Sequence, residues 1–342
     1  MTSPLRTSEE KPTTVEEYKK KVGNRQQFRE LVQKRARKSS PLNPILPPKV
    51  PNGCGEPCIC KQYGRFCKVE TRNASGYKVD MVQLKDRLHH PNTLYDELFK
   101  HLQEDDRYSS DEAIHATAEV RDLLSDYRNP GSIMNQLGHP DARTMKPELE
   151  KKLSANNPGR RNLDVQLYNR LLELLADMFF PGKLCFDFEF LPPNLPKRYG
   201  DSLPLYDKDG YTYSRIRLNA TAVEYPADFV QGTVADVYYY RAVHRIATLL
   251  HEICHAYLQK YACDMCADAE EQVDQCGGHG WAWQRIAARV EHMAKLKLGI
   301  PVSLGRFASI QHHWHEKTKW PSVEQVDQWN LHDESTWSHS QA

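Results

Sequence analysis

The feature that most constrains this chain is a pair of histidines four residues apart inside a long stretch of helical periodicity. The sequence His251-Glu252-Ile253-Cys254-His255 lies within residues 237–261, where apolar side chains recur three and four positions apart. Both imidazoles therefore share one helical face and can reach one metal ion, at about 2.0–2.1 Å from each nitrogen. Glu252 would project beside the open coordination position. The pattern predicts a helix-borne metal site with a carboxylate base.

A catalytic zinc site needs a third protein ligand and leaves its fourth position to water. His279 lies in the run Gly277-Gly278-His279-Gly280, at the start of a second amphipathic segment, 280–297. Its small neighbours let the backbone pass close to a metal, and the second helix can fold back over the first. The competing carboxylates are Glu270, Glu271 and Glu291. The first two lie in a polar run and the third lies about three turns into the helix, so we expect His279 to be the ligand.

Composition excludes several classes of protein. The chain has 342 residues, 39% hydrophobic and 27% charged, which is typical of a soluble globular protein. Lys and Arg number 46 against 45 Asp and Glu, so any nucleic-acid partner would need a local basic patch. No apolar run reaches the roughly 18 residues that cross a bilayer, and the N-terminus lacks a signal-peptide pattern. We therefore expect an intracellular protein that is neither membrane-inserted nor secreted.

Residues 1–50 carry seven Lys and five Arg against five Glu, and they end in a proline-rich run. This composition predicts a basic, mostly disordered arm. The cluster from Lys34 to Lys38 fits a nuclear-localisation signal or a phosphate-contacting patch, but short basic runs are also common in ordinary solvated tails. If the first interpretation holds, the arm is the route to DNA and to the nucleus.

Two groups of cysteines have spacings that metal sites use. The first group is Cys54, Cys58, Cys60 and Cys67, and the second is Cys263, Cys266 and Cys276. Thiols inside a cell stay reduced, so such clusters are better explained as ligands than as disulfides. The first group is either a small zinc knuckle or four unrelated thiols. The second is either a structural brace, to which the first group could contribute, or a loop with free thiols, while Cys254 fits a small buried residue.

The remaining patterns predict an α+β fold. Helical spacing recurs in pieces between residues 80 and 150, including a helix capped by Ser110, and again from Leu163 to Met178 until Pro181 and Gly182. Alternation then predicts one strand through Phe186–Phe190 and, after a connection rich in Pro, Gly and Asp, a second strand around Ile216 and Leu218. His244 lies near the metal-site stripe and is expected to be an ordinary core residue.

Three motifs together resemble the SprT-like family of zinc metallopeptidases, a family that includes DNA-dependent proteases. They are HEICHAYLQKY, the following GGHGWAW and the preceding YSRIRLN, and the resemblance covers about residues 160–297. It implies a zincin-like domain with a small antiparallel sheet and an HExxH active-site helix. It also implies that His251, His255 and His279 bind Zn²⁺ while Glu252 acts as the base.

The function that follows is zinc-dependent peptide hydrolysis, in which zinc activates water and Glu252 takes its proton, on protein substrates associated with or crosslinked to DNA, as in DNA repair. Two features of the family are missing: a C-terminal four-cysteine ribbon, and a clear ubiquitin-binding or sliding-clamp motif. One alternative is a non-catalytic scaffold or DNA-associated adaptor in which zinc contributes only folding energy. Another is a metal-independent protein in which the HExxH pattern occurs by chance.

The predicted organisation has four parts. These are a disordered basic arm (1–50), a Cys cluster with a helical accessory region (51–160), the metallopeptidase domain (161–298) and a Trp/His-rich tail (299–342), with both termini flexible. The tail contains Trp314, Trp320, Trp329 and Trp337. Aromatic residues at this density anchor a segment to a surface, and we favour the chain's own domain over a separate partner as that surface.

Overall fold

In the residues that the structure describes, the protein is a mixed α+β structure in which helices predominate over a small three-stranded sheet and a separate two-stranded hairpin. The computed structural model describes residues 67–124, 137–138, 165–192, 198–206, 212–220, 234–266, 268–313, 323–329 and 331. In chain order the elements are β1 (Cys67–Arg72), β2 (Lys78–Gln83), α1 (Pro91–His101), α2 (Asp111–Leu124), α3 (Val165–Phe179), β3 (Phe186–Phe190), β4 (Gly200–Tyr206), β5 (Thr212–Leu218), α4 (Val234–Tyr261), α5 (Gln275–Gly278), α6 (Trp281–Leu298), α7 (Arg306–His313) and α8 (Val323–Gln328). A short π-helical turn, Glu270–Asp274, precedes α5.

The three long helices lie where apolar periodicity predicts them. Helix α3 ends just before Pro181 and Gly182, and α4 contains the whole HExxH motif. Helix α6 ends at Gly299, whose φ of 67° is the left-handed conformation that closes many helices and that glycine adopts without steric cost. None of the described helices combines the length and the apolar character needed to cross a bilayer.

The sheet differs from the expectation of a small antiparallel one. Strands β3 and β5 form where alternation predicts them, but they pair in parallel, whereas β4 pairs antiparallel with β5. Strand β4 was not predicted, because it lies in the Pro- and Gly-containing connection between the other two. The order is β3-β5-β4, so β4 is an edge strand, and an edge is where a strand tolerates a proline such as Pro204. Antiparallel geometry was therefore the wrong prediction for the β3–β5 pair.

Helices α3 and α4 both pack on one face of the sheet, and the opposite face carries ion pairs such as Arg215–Asp187. On α3, the Tyr168 ring stacks on Phe188 of β3 with centroids 4.6 Å apart. Helix α4 contacts both β4 and β5. Ile216 and Leu218 of β5 are buried, as their alternation predicts. The packing fixes α4 against the edge strand, which determines what lies beside the HExxH motif.

Helices α1 and α2 share one hydrophobic core with α3, α4 and α6. Ser110 caps α2 as predicted, because its Oγ accepts a hydrogen bond from the Ala113 N–H at 3.2 Å. Two buried arginines of α6 join it to α1: Arg285 lies 3.7 Å over the Tyr95 ring and Arg289 lies 4.4 Å over the Phe99 ring. These two contacts hold α6 against α1.

The C-terminal region packs on the rest of the molecule where the structure describes it, in residues 299–313, 323–329 and 331. Trp329 is fully buried, and its carbonyl accepts a hydrogen bond from buried Arg306 of α7. Arg306 also donates a hydrogen bond to Glu291 of α6, and Leu304 belongs to the main hydrophobic core, which agrees with a tail that covers its own domain. Trp314, Trp320 and Trp337 lie outside the described residues, as does the basic arm at 1–50.

Candidate metal centre

Three imidazoles from two separate parts of the chain converge on one point. The Nε2 atoms of His251 and His255 are 3.1 Å apart, those of His255 and His279 are 3.2 Å apart, and those of His279 and His251 are 3.0 Å apart. Three nitrogens bound to one tetrahedral zinc ion would lie about 3.3 Å from each other, given bonds of about 2.0–2.1 Å. The spacing of the three histidines therefore fits a shared metal ion.

Hydrogen bonding among the rings cannot account for this arrangement. A neutral imidazole nitrogen either carries a proton and donates, or lacks one and accepts. With three nitrogens in mutual contact, at least one pair must be two donors or two acceptors, whichever tautomers are chosen. A cation at the centre would satisfy all three lone pairs at once. The donor set thus favours a metal site over a hydrogen-bonded cluster.

The local backbone explains how His279 comes close to the two histidines of α4. His251 and His255 lie one turn apart on α4, while His279 lies between α5 and α6. Gly278, just before His279, has a φ of +93°, and a Cβ placed there would lie 3.2 Å from Cε1 of His255. A side chain at this position would strain the backbone and crowd the ring. The glycine therefore lets this segment approach α4 closely.

The orientation of His251 is fixed from behind the site. Its Nδ1 lies 2.8 Å from the carbonyl oxygen of Leu304, which can only accept a hydrogen bond. The proton therefore lies on Nδ1, and Nε2 presents its lone pair to the centre. The buried Trp283 ring lies against all three imidazoles, with centroids 4.8, 5.4 and 4.5 Å from those of His251, His255 and His279. This ring forms an apolar floor.

Glu252 lies beside the three histidines in a buried position. Its Oε1 is 4.0 Å from the His251 Nε2, and the residue is only 5% exposed. Burial raises the pKa of Glu252 well above its usual range, and the negative charge of Asp201 adds to this while Arg198 opposes it. Gly200 of β4 makes room for the carboxylate, because a Cβ there would lie 3.0 Å from Oε1. A carboxyl group with a raised pKa next to the histidines suits proton transfer.

Of the competing carboxylates, the two whose side chains the structure describes, Glu271 and Glu291, are not grouped with the three histidines. Glu271 is exposed, and the side chain of Glu270 lies outside the described part. Glu291 is buried, but its two oxygens bind Leu304 and Arg306. His244 is partly buried, and its ring meets the Tyr199 ring edge to face at 4.7 Å, which agrees with a packing role.

The cysteines fall into three situations. Cys54, Cys58 and Cys60 lie outside the described residues, and the side chains of Cys67 and Cys276 are likewise not described. Cys254 is fully buried, and burial raises the pKa of its thiol well above the usual range, as expected of a core residue. Cys263 and Cys266 are buried together with Ala269. Whether any of them binds a metal stays a prediction.

A second group of ligand-type side chains was not predicted from sequence. His90, Cys266 and Asp268 bring one donor atom each within 4.8 Å of one another, and we call them the His90 cluster. His90 Nδ1 accepts a hydrogen bond from the Asn92 N–H at 3.2 Å, as the cap of α1, so the ring proton lies on Nε2, which donates to Asp268 at 3.1 Å. No spacing signal connects His90 to Asp268, because the two residues are 178 positions apart.

Comparison with known proteins adds no assignment. No protein-family model matches this chain, nor does any curated protein or solved structure. The SprT-like resemblance therefore stays a prediction that rests on the motifs around His251, His255 and His279.

Proposed function

We propose that this chain is a zinc-dependent endopeptidase of the SprT-like, zincin-like type. The observation that carries the proposal is the convergence of three Nε2 atoms within 3.2 Å of one another beside a buried glutamate. Imidazole nitrogens are suitable ligands for zinc, and a three-histidine set leaves one coordination position for chemistry. His251, His255 and His279 would hold the ion. When bound, zinc supplies Lewis acidity toward a water molecule and a peptide carbonyl.

Glu252 would move the proton in this reaction. Its Oε1 would accept a proton from the attacking water and pass it to the nitrogen of the leaving amine. Burial raises the pKa of this carboxyl group, which favours its holding a proton between the two transfers. The apolar floor made by Trp283 limits the water around the histidines, which strengthens electrostatic interactions there.

The edge strand β4 offers a place for an extended peptide. Strands β3 and β4 are the two edges of the three-stranded sheet, and it is β4 that lies near the histidines, because Gly200 at its start lies against Glu252. A peptide that added to the free edge would form backbone hydrogen bonds and would run past the three histidines. Leu203 and Tyr206 are exposed on this strand and could contact its side chains.

The substrate class is proposed from features outside the three-histidine site. We place proteins associated with or crosslinked to DNA first, because residues 1–50 combine twelve basic residues with five acidic ones and because the motifs resemble the SprT-like family. A nuclear location follows from the same two arguments.

The test is cleavage of a histone by wild type, Glu252→Gln and Glu271→Gln, each with and without single-stranded DNA, together with the zinc content of each protein. Glu252→Gln should keep its zinc and lose about 10²-fold or more in rate, since general-base catalysis contributes about that much. Glu271→Gln changes an exposed glutamate of the same region and should behave as wild type. Equal cleavage by Glu252→Gln and wild type would remove the assigned base. Zinc binding without any cleavage would favour the scaffold or adaptor.

A further inference from the structure

We infer that Glu291 is a positioning residue for the metal centre and that it acts on His251 through the backbone of Leu304. This inference rests on the zinc site of the proposed function, and it concerns how firmly that site holds its ion. It gives a role to a buried carboxylate that neither touches the three histidines nor takes part in the proposed proton transfer.

Both oxygens of the Glu291 carboxylate are engaged on the same short segment. Oε1 accepts a hydrogen bond from the Leu304 N–H at 2.7 Å, and Oε2 accepts one from Nε of Arg306 at 2.7 Å. The side chains of Glu291 and Arg306 are only 9% and 2% exposed. Charge-assisted hydrogen bonds in such a buried place are strong, and losing one partner is costly. The carboxylate therefore holds the segment 304–306 in one position.

The carbonyl of that same segment orients a candidate ligand. Leu304 O accepts the Nδ1–H of His251 at 2.8 Å, which directs Nε2 toward the other two imidazoles. Gly305, with a φ of 68°, turns the chain so that Leu304 and Arg306 both face Glu291. Partners behind a metal-bound histidine commonly change metal affinity about 10–100-fold when they are removed.

Helix α6 links this support to the third histidine. His279 lies two residues before α6 begins, and Glu291 lies within it about three turns further on. Arg285 and Arg289 anchor the same helix on α1. Helix α6 thus begins two residues after His279 and also contains Glu291, which binds the segment that orients His251. The same helix therefore helps to position histidines on both sides of the site.

The experiment compares two double variants that differ only at residue 291. Glu291→Leu with Arg306→Met removes the clamp without leaving a buried charge unpaired, a kind of replacement that buried ion pairs often tolerate. Glu291→Gln with Arg306→Met keeps a carboxamide oxygen for the Leu304 N–H. Zinc dissociation constants of both and of wild type are measured by competition with a chelator. We expect the Leu/Met variant to bind zinc about tenfold more weakly and the Gln/Met variant to stay within about twofold of wild type.

Equal zinc affinity in the two double variants would overturn the inference, because a merely structural role predicts no difference between them. If the Leu/Met variant does not fold, Glu291→Asp replaces it: this change keeps the charge, shortens the reach by one methylene and should weaken zinc binding, and an unchanged affinity overturns the inference. The readout is independent of cleavage. Wild type that binds zinc but cleaves nothing would remove the proposed function alone, whereas zinc binding that does not need His279 would remove both.

Discussion

In the described part of the chain, two regions gather histidine with other ligand-type side chains, and they differ in which group meets the second nitrogen of the imidazole. In the three-histidine cluster, Nδ1 of His251 meets a carbonyl oxygen, so the ring proton lies on Nδ1 and Nε2 is unprotonated. In the His90 cluster, the second nitrogen of His90 meets a backbone N–H, which does the opposite and puts the proton on Nε2. A metal-bound neutral imidazole needs its proton on the nitrogen that faces away from the ion.

A close group of ligand-type atoms is therefore not sufficient for a metal site. His90 and Asp268 satisfy each other with the hydrogen bond that the cap of α1 dictates, so their geometry is complete without an ion. The three Nε2 atoms cannot satisfy each other in any tautomer. Variants of the two clusters can test whether this contrast in hydrogen bonding is also a contrast in metal binding.

The largest expected effect is on zinc content. His279→Ala removes one of three converging nitrogens and should lose the zinc of this site after dialysis, whereas His90→Ala should keep it, because the His90 cluster is already hydrogen-bonded. Zinc per chain, measured by elemental analysis, checks this. Parallel zinc loss in the two variants would erase the distinction between the clusters.

A second prediction concerns the glycine that admits His279. Gly278→Ala places a side chain at φ +93°, where it also crowds His255, so it should cost about 1–3 kcal/mol of stability and weaken zinc binding. Gly299→Ala is the matched control, because its φ is +67° but nothing lies within 4 Å of the added Cβ. Denaturant unfolding and chelator competition separate the two effects. Weaker zinc binding in the Gly299→Ala variant would contradict this, because it would mean that backbone strain far from His255 is enough to lower zinc affinity.

The pH dependence of stability should reveal a buried histidine near the His90 cluster. Burial lowers the pKa of His89 to about 4 from the ordinary 6.5, so the unfolded chain takes up this proton more readily than the folded one. Its contribution to stability is therefore complete above about pH 6.5 and is lost as the pH falls toward 4. His89→Asn should flatten this part of the profile when unfolding is followed in a metal chelator. An unchanged slope would place the acid sensitivity elsewhere.

The smallest effect is expected from His90→Asn. Asparagine is a good helix cap, so the first turn of α1 should keep its cap while the bond to Asp268 is lost. We expect a loss of about 1 kcal/mol in the free energy of unfolding and no change in zinc affinity. A decrease in zinc content would mean that the His90 cluster binds metal despite its hydrogen bonds.

The candidate site was predicted from sequence to the extent that it depends on local geometry. Helical spacing puts His251 and His255 on one face, and the glycines around His279 indicate a close backbone approach, so the three histidines that converge were identified from sequence. Glu291 was considered only as a ligand, since no sequence pattern reveals that its oxygens bind Leu304 and Arg306. His90 and Asp268 were missed for the same reason.

The fold divides in the same way. Helices α3, α4 and α6 and strands β3 and β5 have strong periodicity, and they form where it predicts them. Strand β4 has Gly, Pro and weak alternation, and it becomes a strand because the edge of β5 is available for pairing. The parallel direction of β3 and β5 depends on where the chain between them runs, which no local pattern encodes.

The sequence by itself determined which residues present imidazole and carboxylate on one turn of α4, because helix periodicity is a property of neighbouring residues. Only the tertiary structure decided that Glu252 is buried beside Gly200, that a carbonyl orients His251 and that His90 is held by the cap of α1. Those features depend on contacts between elements far apart in the chain, and the hydrogen bonds formed there decide which nitrogen of each ring is free to bind a cation.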